Sequence, residues 1–295
     1  VLIIYKKDKK MSDFSDRLTQ DVLARLDGLQ DARFKTVMTS LISHLHAFVR
    51  ETGLSETEWM QGIRFLTETG QHCDAERQEF ILLSDTLGVS MLVDHINHKK
   101  PSGATETSVL GPFFVEAAQE LPLGSDIGNG AAGTPCWLAG TVATLDGMPI
   151  ADALVDIWSS DGDGLYDVQR PGGKPAVRAR FRTDGGGAFR LWTVKPSSYP
   201  IPIDGPGGKM LMKMGRHPYR PAHVHVKISA PGYVTIVTQL YESGDIYLDS
   251  DVAFGVKDSL IVDYRAQAPG RGPDGRQLAQ PWVRIEHDFY LVPAG

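Results

Sequence analysis

The hydrophobic period changes once along this chain, near residue 100. That change limits the fold to a helical part followed by a β part. Between residues 32 and 50 the apolar side chains are Phe34, Val37, Met38, Leu41, Ile42, Leu45, Phe48 and Val49. Steps of three and four place them on one stripe of a helix. Gly53 supplies a C-terminal stop. Ser55 with Glu58 matches a capping box and predicts a second helix through Trp59, Ile63 and Leu66. Asp74 is placed to cap a third, through Phe80, Leu83 and Leu87 to Gly88; a short fourth runs through Met91, Leu92 and Ile96. The polar stretch KKPSGATETSVLGPFF breaks this pattern. Beyond it, apolar runs at 136–144, 154–158, 179–183, 188–194, 224–229, 235–240, 259–264 and 283–291 read as strands. Asp146-Gly147, Asp184-Gly185 and Pro231-Gly232 separate several of them as turns. Short strands with such punctuation predict a β-sandwich. The expected fold is therefore mixed α and β: an N-terminal helical domain over 11–105, then a β-sandwich domain over 106–295. Met11 followed by SDFSDRL resembles a natural start, so residues 1–10 read as an extension.

The chain has 295 residues, 42% of them hydrophobic and 22% charged, enough for a sizeable core. A net charge of −6 without a long basic run argues against nucleic acid as a partner. No stretch is long enough to span a bilayer. The segment VLIIYKKDKK has the reverse order of a secretory signal. Cys73 and Cys136 fall in different predicted domains and read as free thiols of a reducing compartment, pointing to the cytoplasm.

His223 and His225 stand at i and i+2 in RPAHVHVKIS, a predicted strand. Both imidazoles then share one face, close enough to share a metal. Two stretches without regular structure, 159–178 and 195–222, are too long for mere connectors and read as site-building loops. They carry Tyr166 in GDGLYDVQ and Tyr199 in KPSSYPIP. Phenolates are hard, anionic donors, so a mixed histidine and tyrosine shell suits iron(III) more than zinc. A strand HxH also occurs as an ordinary pair of half-buried histidines, and a loop tyrosine as a packing residue. Spacing alone leaves those readings open. His44, His46, His72, His95 and His98 show no ligand spacing. DGDG at 161–164 lacks the later acidic ligand of a calcium loop and reads as a turn. The glycines at 185–187 precede a strand, not a helix, so they do not form a phosphate cradle.

In the order GLYD, RFRTDGGGAFRLWTVKPSSYPIP, GRHPYRPAHVHVKIS and TQLYESGD, the chain resembles the intradiol ring-cleavage dioxygenases. These are non-haem iron(III) enzymes that open catechol-type rings between adjacent hydroxyls. The resemblance covers nearly everything from Met11 onward. TETSVLGPFFVEAA, GLYDVQ and YPIPIDGPGGKM are most similar to the branch that opens hydroxyquinol (benzene-1,2,4-triol). That branch yields 3-hydroxy-cis,cis-muconate, observed as maleylacetate; the alternative substrate is catechol or a chlorocatechol. The resemblance implies that Tyr166, Tyr199, His223 and His225 bind iron(III), with Tyr199 leaving the metal as substrate enters. It implies that Arg220 stabilises charge developing on the ring and that Gln239 stands behind the ligands. It places Leu82, Asp85, Val109, Leu110, Gly111, Pro112, Phe113, Ile201 and Pro202 around the substrate, with Arg220. From the residues alone, Arg220 is equally a surface ion-pair partner, Gln239 a sheet-edge amide and Asp85 a solvated helix residue. Near relatives often carry an aromatic where Leu110 stands. The family also implies a homodimer joined through the N-terminal helices, with a phospholipid between subunits. The long apolar stripe over 32–50 agrees with a partner on that face.

Overall fold

The computed structural model describes residues 14–74, 77–170 and 175–295; the reading of residues 1–10 as an extension lies outside them. The chain divides into two compact units after Thr67. The first holds helical residues 14–24 (α1), helix α2 (Ala32–Thr52) and most of α3 (Glu56–Gln71). Asp31 caps α2 by accepting the Phe34 N–H at 2.9 Å, and Gly53 ends it in the left-handed region at φ 58°. Ser55 and Glu58 form the expected reciprocal box, with Ser55 N donating to Glu58 Oε2 at 2.9 Å and Glu58 N to Ser55 Oγ at 3.3 Å. Phe34, Val37, Leu41, Leu45 and Phe48 form a stripe on α2 that stays exposed.

The second unit opens with α4 (Glu79–Thr86) and α5 (Val89–Asn97). The helix expected from Asp74 begins later, at Glu79, because the Asp74 carboxylate closes a local turn by accepting the Arg77 N–H at 2.7 Å. The helices of the 11–105 stretch are thus shared between the two units, with α4 packed on α6 (Pro206–Lys213) in the second. Among the described residues no helix is long and apolar enough to cross a membrane.

Two sheets follow, built from β1 (Pro135–Thr144), β2 (Leu154–Ser159), β3 (Arg178–Arg182), β4 (Ala188–Val194), β5 (Tyr199–Pro200), β6 (Tyr219–Arg220), β7 (His223–Ser229), β8 (Ile236–Glu242), β9 (Ile261–Val262), β10 (Arg265–Gln267), β11 (Gly270–Arg271), β12 (Gln277–Leu278), β13 (Trp282–Glu286) and β14 (Phe289–Leu291). One sheet runs β10-β13-β1-β14 with β4 also on β1, and the other runs β3-β2-β7-β8-β9; β5-β6 and β11-β12 are small ribbons. Leu138, Val142, Leu191 and Ile285 from the first sheet meet Val155, Ile157, Phe181, Val224, Val226 and Ile228 from the second in one buried core. This is the expected sandwich.

Two strand readings needed correction. The run at 283–291 is two strands, β13 and β14, each parallel to a different stretch of β1. The break comes where the His287 carbonyl presses on Gly140: a Cβ there would sit 1.8 Å from that oxygen. Asp288 then accepts both the backbone N–H and hydroxyl of Thr141 at the surface, at 2.9 and 2.7 Å. The run at 259–264 keeps only Ile261–Val262 as strand, because residues 258–260 form a 3-10 turn.

Candidate active site

Strand β7 alternates strictly. Val224, Val226 and Ile228 enter the core, so His223 and His225 lie on the opposite face of the sheet. Register places Trp158 of β2 and Gln239 of β8 on either side of His225, and Tyr241 beside His223. The Trp158 ring stacks on His225 at 4.7 Å between centroids, with an 11° interplanar angle. The loop after β2 brings Tyr166 over this face. Gln169 fixes that loop by accepting the Tyr166 N–H at 2.8 Å, and Asp167 pairs with buried Arg178. The DGDG segment is a turn, in which Asp161 accepts the N–H groups of Asp163 and Leu165. Tyr199 arrives on the β5-β6 ribbon, opposite Arg220.

Four donor atoms converge. Tyr166 Oη lies 2.8 Å from His225 Nε2 and 3.2 Å from Tyr199 Oη, and the two histidine Nε2 atoms lie 3.1 Å apart. His223 Nδ1 is 2.7 Å from the Pro221 carbonyl, which accepts its proton and leaves the Nε2 lone pair facing the cluster. Burial, followed by the charge of Arg220, lowers the His223 pKa to about 3. Burial and then His223 hold His225 well below the ordinary histidine value. Both imidazoles are therefore neutral and available as ligands. Burial raises both tyrosine pKa values, so each phenol needs a nearby positive charge to ionise. Two neutral nitrogens and two phenolic oxygens facing one point fit a hard trivalent cation. Among the described residues no group of three His, Cys, Asp or Glu gathers around a common point. Among the described residues no carboxylate joins the two histidines as a histidine-based zinc or iron(II) site would need.

Arg220 braces the cluster from the side. Its Nε and Nη2 donate to the two oxygens of Asp251 at 3.0 Å each, and Nη2 also reaches Gln239 Oε1 at 2.9 Å and Tyr241 Oη at 3.1 Å. Nη1 stands 3.3 Å from His223 Nε2. Burial opposes the Arg220 charge, yet Asp251 overrides it and the pKa stays well above the ordinary value. Gln239 donates to the Val109 carbonyl at 2.6 Å and lies 3.2 Å from His225 Nδ1. It ties linker, Arg220 and His225 together and does not line the cavity.

Beside Tyr199 and Arg220 opens a cavity lined by Leu82, Asp85, Thr86, Val109, Gly111, Pro112, Phe113, Ile201, Pro202, Val252 and Ala253. Leu110 does not line it. Val109 turns inward at 8% exposure, whereas Leu110 is 41% exposed. Gly111, at φ 77°, lets the linker cross against the imidazole; a Cβ would sit 3.1 Å from His225 Cε1. Phe113 stacks on Tyr166 at 4.5 Å. Asp85 is 8% exposed, which removes the solvated reading, and burial raises its pKa while Ser90 and Arg220 oppose the rise.

Sequence reasoning missed Asp251, Tyr241 and Trp158. Tyr241 was detectable, since it stands two residues after Gln239 on one strand. Asp251 had no signal: it follows a 3-10 turn 31 residues beyond Arg220.

Comparison with known proteins matches two family models along the chain. Residues 31–105 match the family model described as "Catechol dioxygenase N terminus", and residues 109–291 the one described as "Dioxygenase". The chain is 50% identical to a 6-chlorohydroxyquinol 1,2-dioxygenase of Cupriavidus pinatubonensis, over 94% of this chain and 96% of the relative. It is 46% identical to a hydroxyquinol 1,2-dioxygenase of Nocardioides simplex, over 94% and 95%. The crystal structure of a hydroxyquinol 1,2-dioxygenase from Pseudomonas putida superposes with a TM-score of 0.90 at 43% identity, covering 96% of this chain and all of that one.

Proposed function

This chain belongs to the intradiol ring-cleavage dioxygenase family, and we propose on that footing that it opens hydroxyquinol with O2. The product is 3-hydroxy-cis,cis-muconate, observed as maleylacetate, and both oxygen atoms enter it. The observation that carries the reading is the meeting of Tyr166, Tyr199, His223 and His225 beside a cavity holding Arg220 and a buried Asp85. These four residues would hold iron(III), which would supply the activation that makes a diol ring reactive toward O2.

The residues divide the remaining work. Tyr199 lines the cavity and Tyr166 does not, so Tyr199 is the ligand an entering diol meets. Its phenolate oxygen accepts one hydroxyl proton of the substrate. Arg220, held rigid by Asp251, presents a fixed cation to negative charge developing on the ring. Asp85 accepts a hydrogen bond from the third hydroxyl, the one not committed to the metal. Leu82, Val109, Phe113, Ile201 and Pro202 enclose the ring and exclude water. The names of the relatives at 46–50% identity support a triol over catechol or a chlorocatechol.

The active form is a homodimer joined through the N-terminal helices, with a phospholipid between subunits. The exposed stripe on α2, from Phe34 to Phe48, supports this. The free thiols of Cys73 and Cys136 support a cytoplasmic location.

Iron-loaded protein tests the reading. It should be reddish from tyrosinate-to-iron charge transfer, and 18O2 should place both labelled atoms in the diacid. A colourless, fully active protein holding stoichiometric zinc overturns it. So does a yellow product cleaved outside the diol.

A further inference from the structure

Resting on the dioxygenase reading, we propose that Glu79 and Arg216 are positioning residues: they tie α4 to α6 at both ends and thereby set the spacing of the substrate cavity. Neither lines that cavity. Glu79 is the first residue of α4, and it is a carboxylate with no exposure at all. A buried carboxylate is costly unless its oxygens are used. Glu79 Oε1 accepts the Gly207 N–H at 3.0 Å, and Oε2 accepts Arg77 Nε and Nη2 at 3.0 and 2.8 Å. Gly207 lies in the first turn of α6, where backbone N–H groups have no partner within the helix and a negative charge is favoured. Arg77 continues to Asp204 with bonds of 2.8 and 3.0 Å. Asp204 stands two residues past Pro202, a cavity residue.

The other end is tied separately. Arg216, just beyond α6, donates from Nη1 to the carbonyl of Thr86 at 2.6 Å and from Nη2 to that of Val252 at 3.1 Å. Thr86 is the last residue of α4. Between the ties, fully buried Leu211 of α6 packs with Leu82, Ile201 and Val252. One cavity wall is therefore α4, through Leu82, Asp85 and Thr86. The facing wall includes Ile201 and Pro202, on the segment that runs from Tyr199 into α6. The α4–α6 spacing fixes how far apart these walls stand.

The run DGPGGKM is accounted for by this contact. A Cβ on Gly205 would lie 2.2 Å from Glu79 Oε1, and one on Gly208 2.3 Å from the Ile203 Cα. Gly205 has φ −86° and ψ 177°, which any residue adopts, so its requirement is space alone. Gly205→Ala therefore displaces the Glu79 carboxylate while leaving its charge in the protein.

Tyr166, His223 and His225 come from β7 and from the loop after β2, outside this brace. Tyr199 is held ahead of the braced segment by its β5–β6 pairing with Arg220, so loosening α4 should weaken the grip on the ring and leave the four residues in place. The test compares wild type, Glu79→Ala, Gly205→Ala and Arg216→Gln, all iron-loaded. The readouts are kcat and KM for hydroxyquinol and catechol, the visible band before substrate, and amide exchange over 79–86 and 201–208. Each variant should raise KM for hydroxyquinol about tenfold with kcat little changed, the loss expected for ground-state positioning. The hydroxyquinol preference should fall, the band should not move, and exchange should quicken in both segments. Unchanged KM with a lower melting temperature overturns the proposal, since the ties would then serve stability alone. A shifted band with loss confined to kcat also overturns it, since the ties would then act through the metal. Where Glu79→Ala does not fold, the other two variants decide by the same readouts. Wild-type protein inactive on the triol refutes the dioxygenase reading instead, and the exchange readout still judges the ties.

Discussion

Asp251→Ala should be among the most damaging single changes outside the Tyr166, Tyr199, His223 and His225 cluster. Its carboxylate accepts Arg220 Nε and Nη2 at 3.0 Å each, and the N–H groups of Ala253 and Gly255 at 3.2 and 2.9 Å. The Arg220 and Asp251 side chains are 4% and 2% exposed. Removing one partner of a buried ion pair costs about 3–5 kcal/mol, because the other charge stays buried and unpaired. Gln239 and Tyr241 keep part of the guanidinium satisfied, which places the loss near the low end, about 3 kcal/mol. Asp251→Asn keeps one acceptor oxygen and loses the charge, so about 2 kcal/mol is expected. Urea unfolding of wild type and both variants at equal metal loading measures this. Activity should fall with it, by about a hundredfold in kcat/KM, since Arg220 loses the group that aims it. The pH dependence has a defined sign. Burial would raise the Asp251 pKa, but the charge of Arg220 overrides it and the folded value is lowered. The stabilisation is then fully present above the unfolded carboxylate pKa of about 3.9 and is lost as pH falls through the lower folded value. Wild type and Asp251→Asn should converge only below that range. A loss within about 0.5 kcal/mol at neutral pH, with unchanged kcat/KM, would refute the reasoning.

Tyr199→Phe should remove most of the visible band and cut turnover by at least about a hundredfold, as loss of a proton acceptor does; a full band with normal turnover assigns the colour elsewhere. Asp85→Ala should lower the hydroxyquinol-to-catechol ratio of kcat/KM about tenfold, mainly through hydroxyquinol, and an unchanged ratio transfers selectivity to the Val109 and Phe113 wall. Light scattering at micromolar concentration should give twice the mass of one chain, and mass spectrometry of an organic extract should find phospholipid; a monomeric mass contradicts the joined-helix assembly.

Local chemistry was readable and register was not. The stripe from Phe34 to Phe48, the Ser55–Glu58 box and the His223–His225 pair depend on spacings of two, three or four residues. Each appears in the structure as read. The stacking of Trp158 on His225 depends on how β2 aligns with β7, and a sequence does not carry that alignment. The Arg220–Asp251 pair joins residues far apart in the chain with no motif around the acid. The exposure of Leu110 was not readable, because a residue match to a wall does not say which way the linker turns each side chain. The late start of α4 came from Asp74 closing a turn, a competing use of the same capping side chain.

Because His223 and His225 occupy one face of β7 and the core occupies the other, the strand keeps the candidate site and the packing on separate sets of positions. Positions 223, 225, 239 and 241 carry the polar face, while Val224, Val226 and Leu240 hold the sheets together. Insertion of a single residue ahead of His223 would reverse every side chain of the strand, sending imidazoles into the core and valines into the cavity.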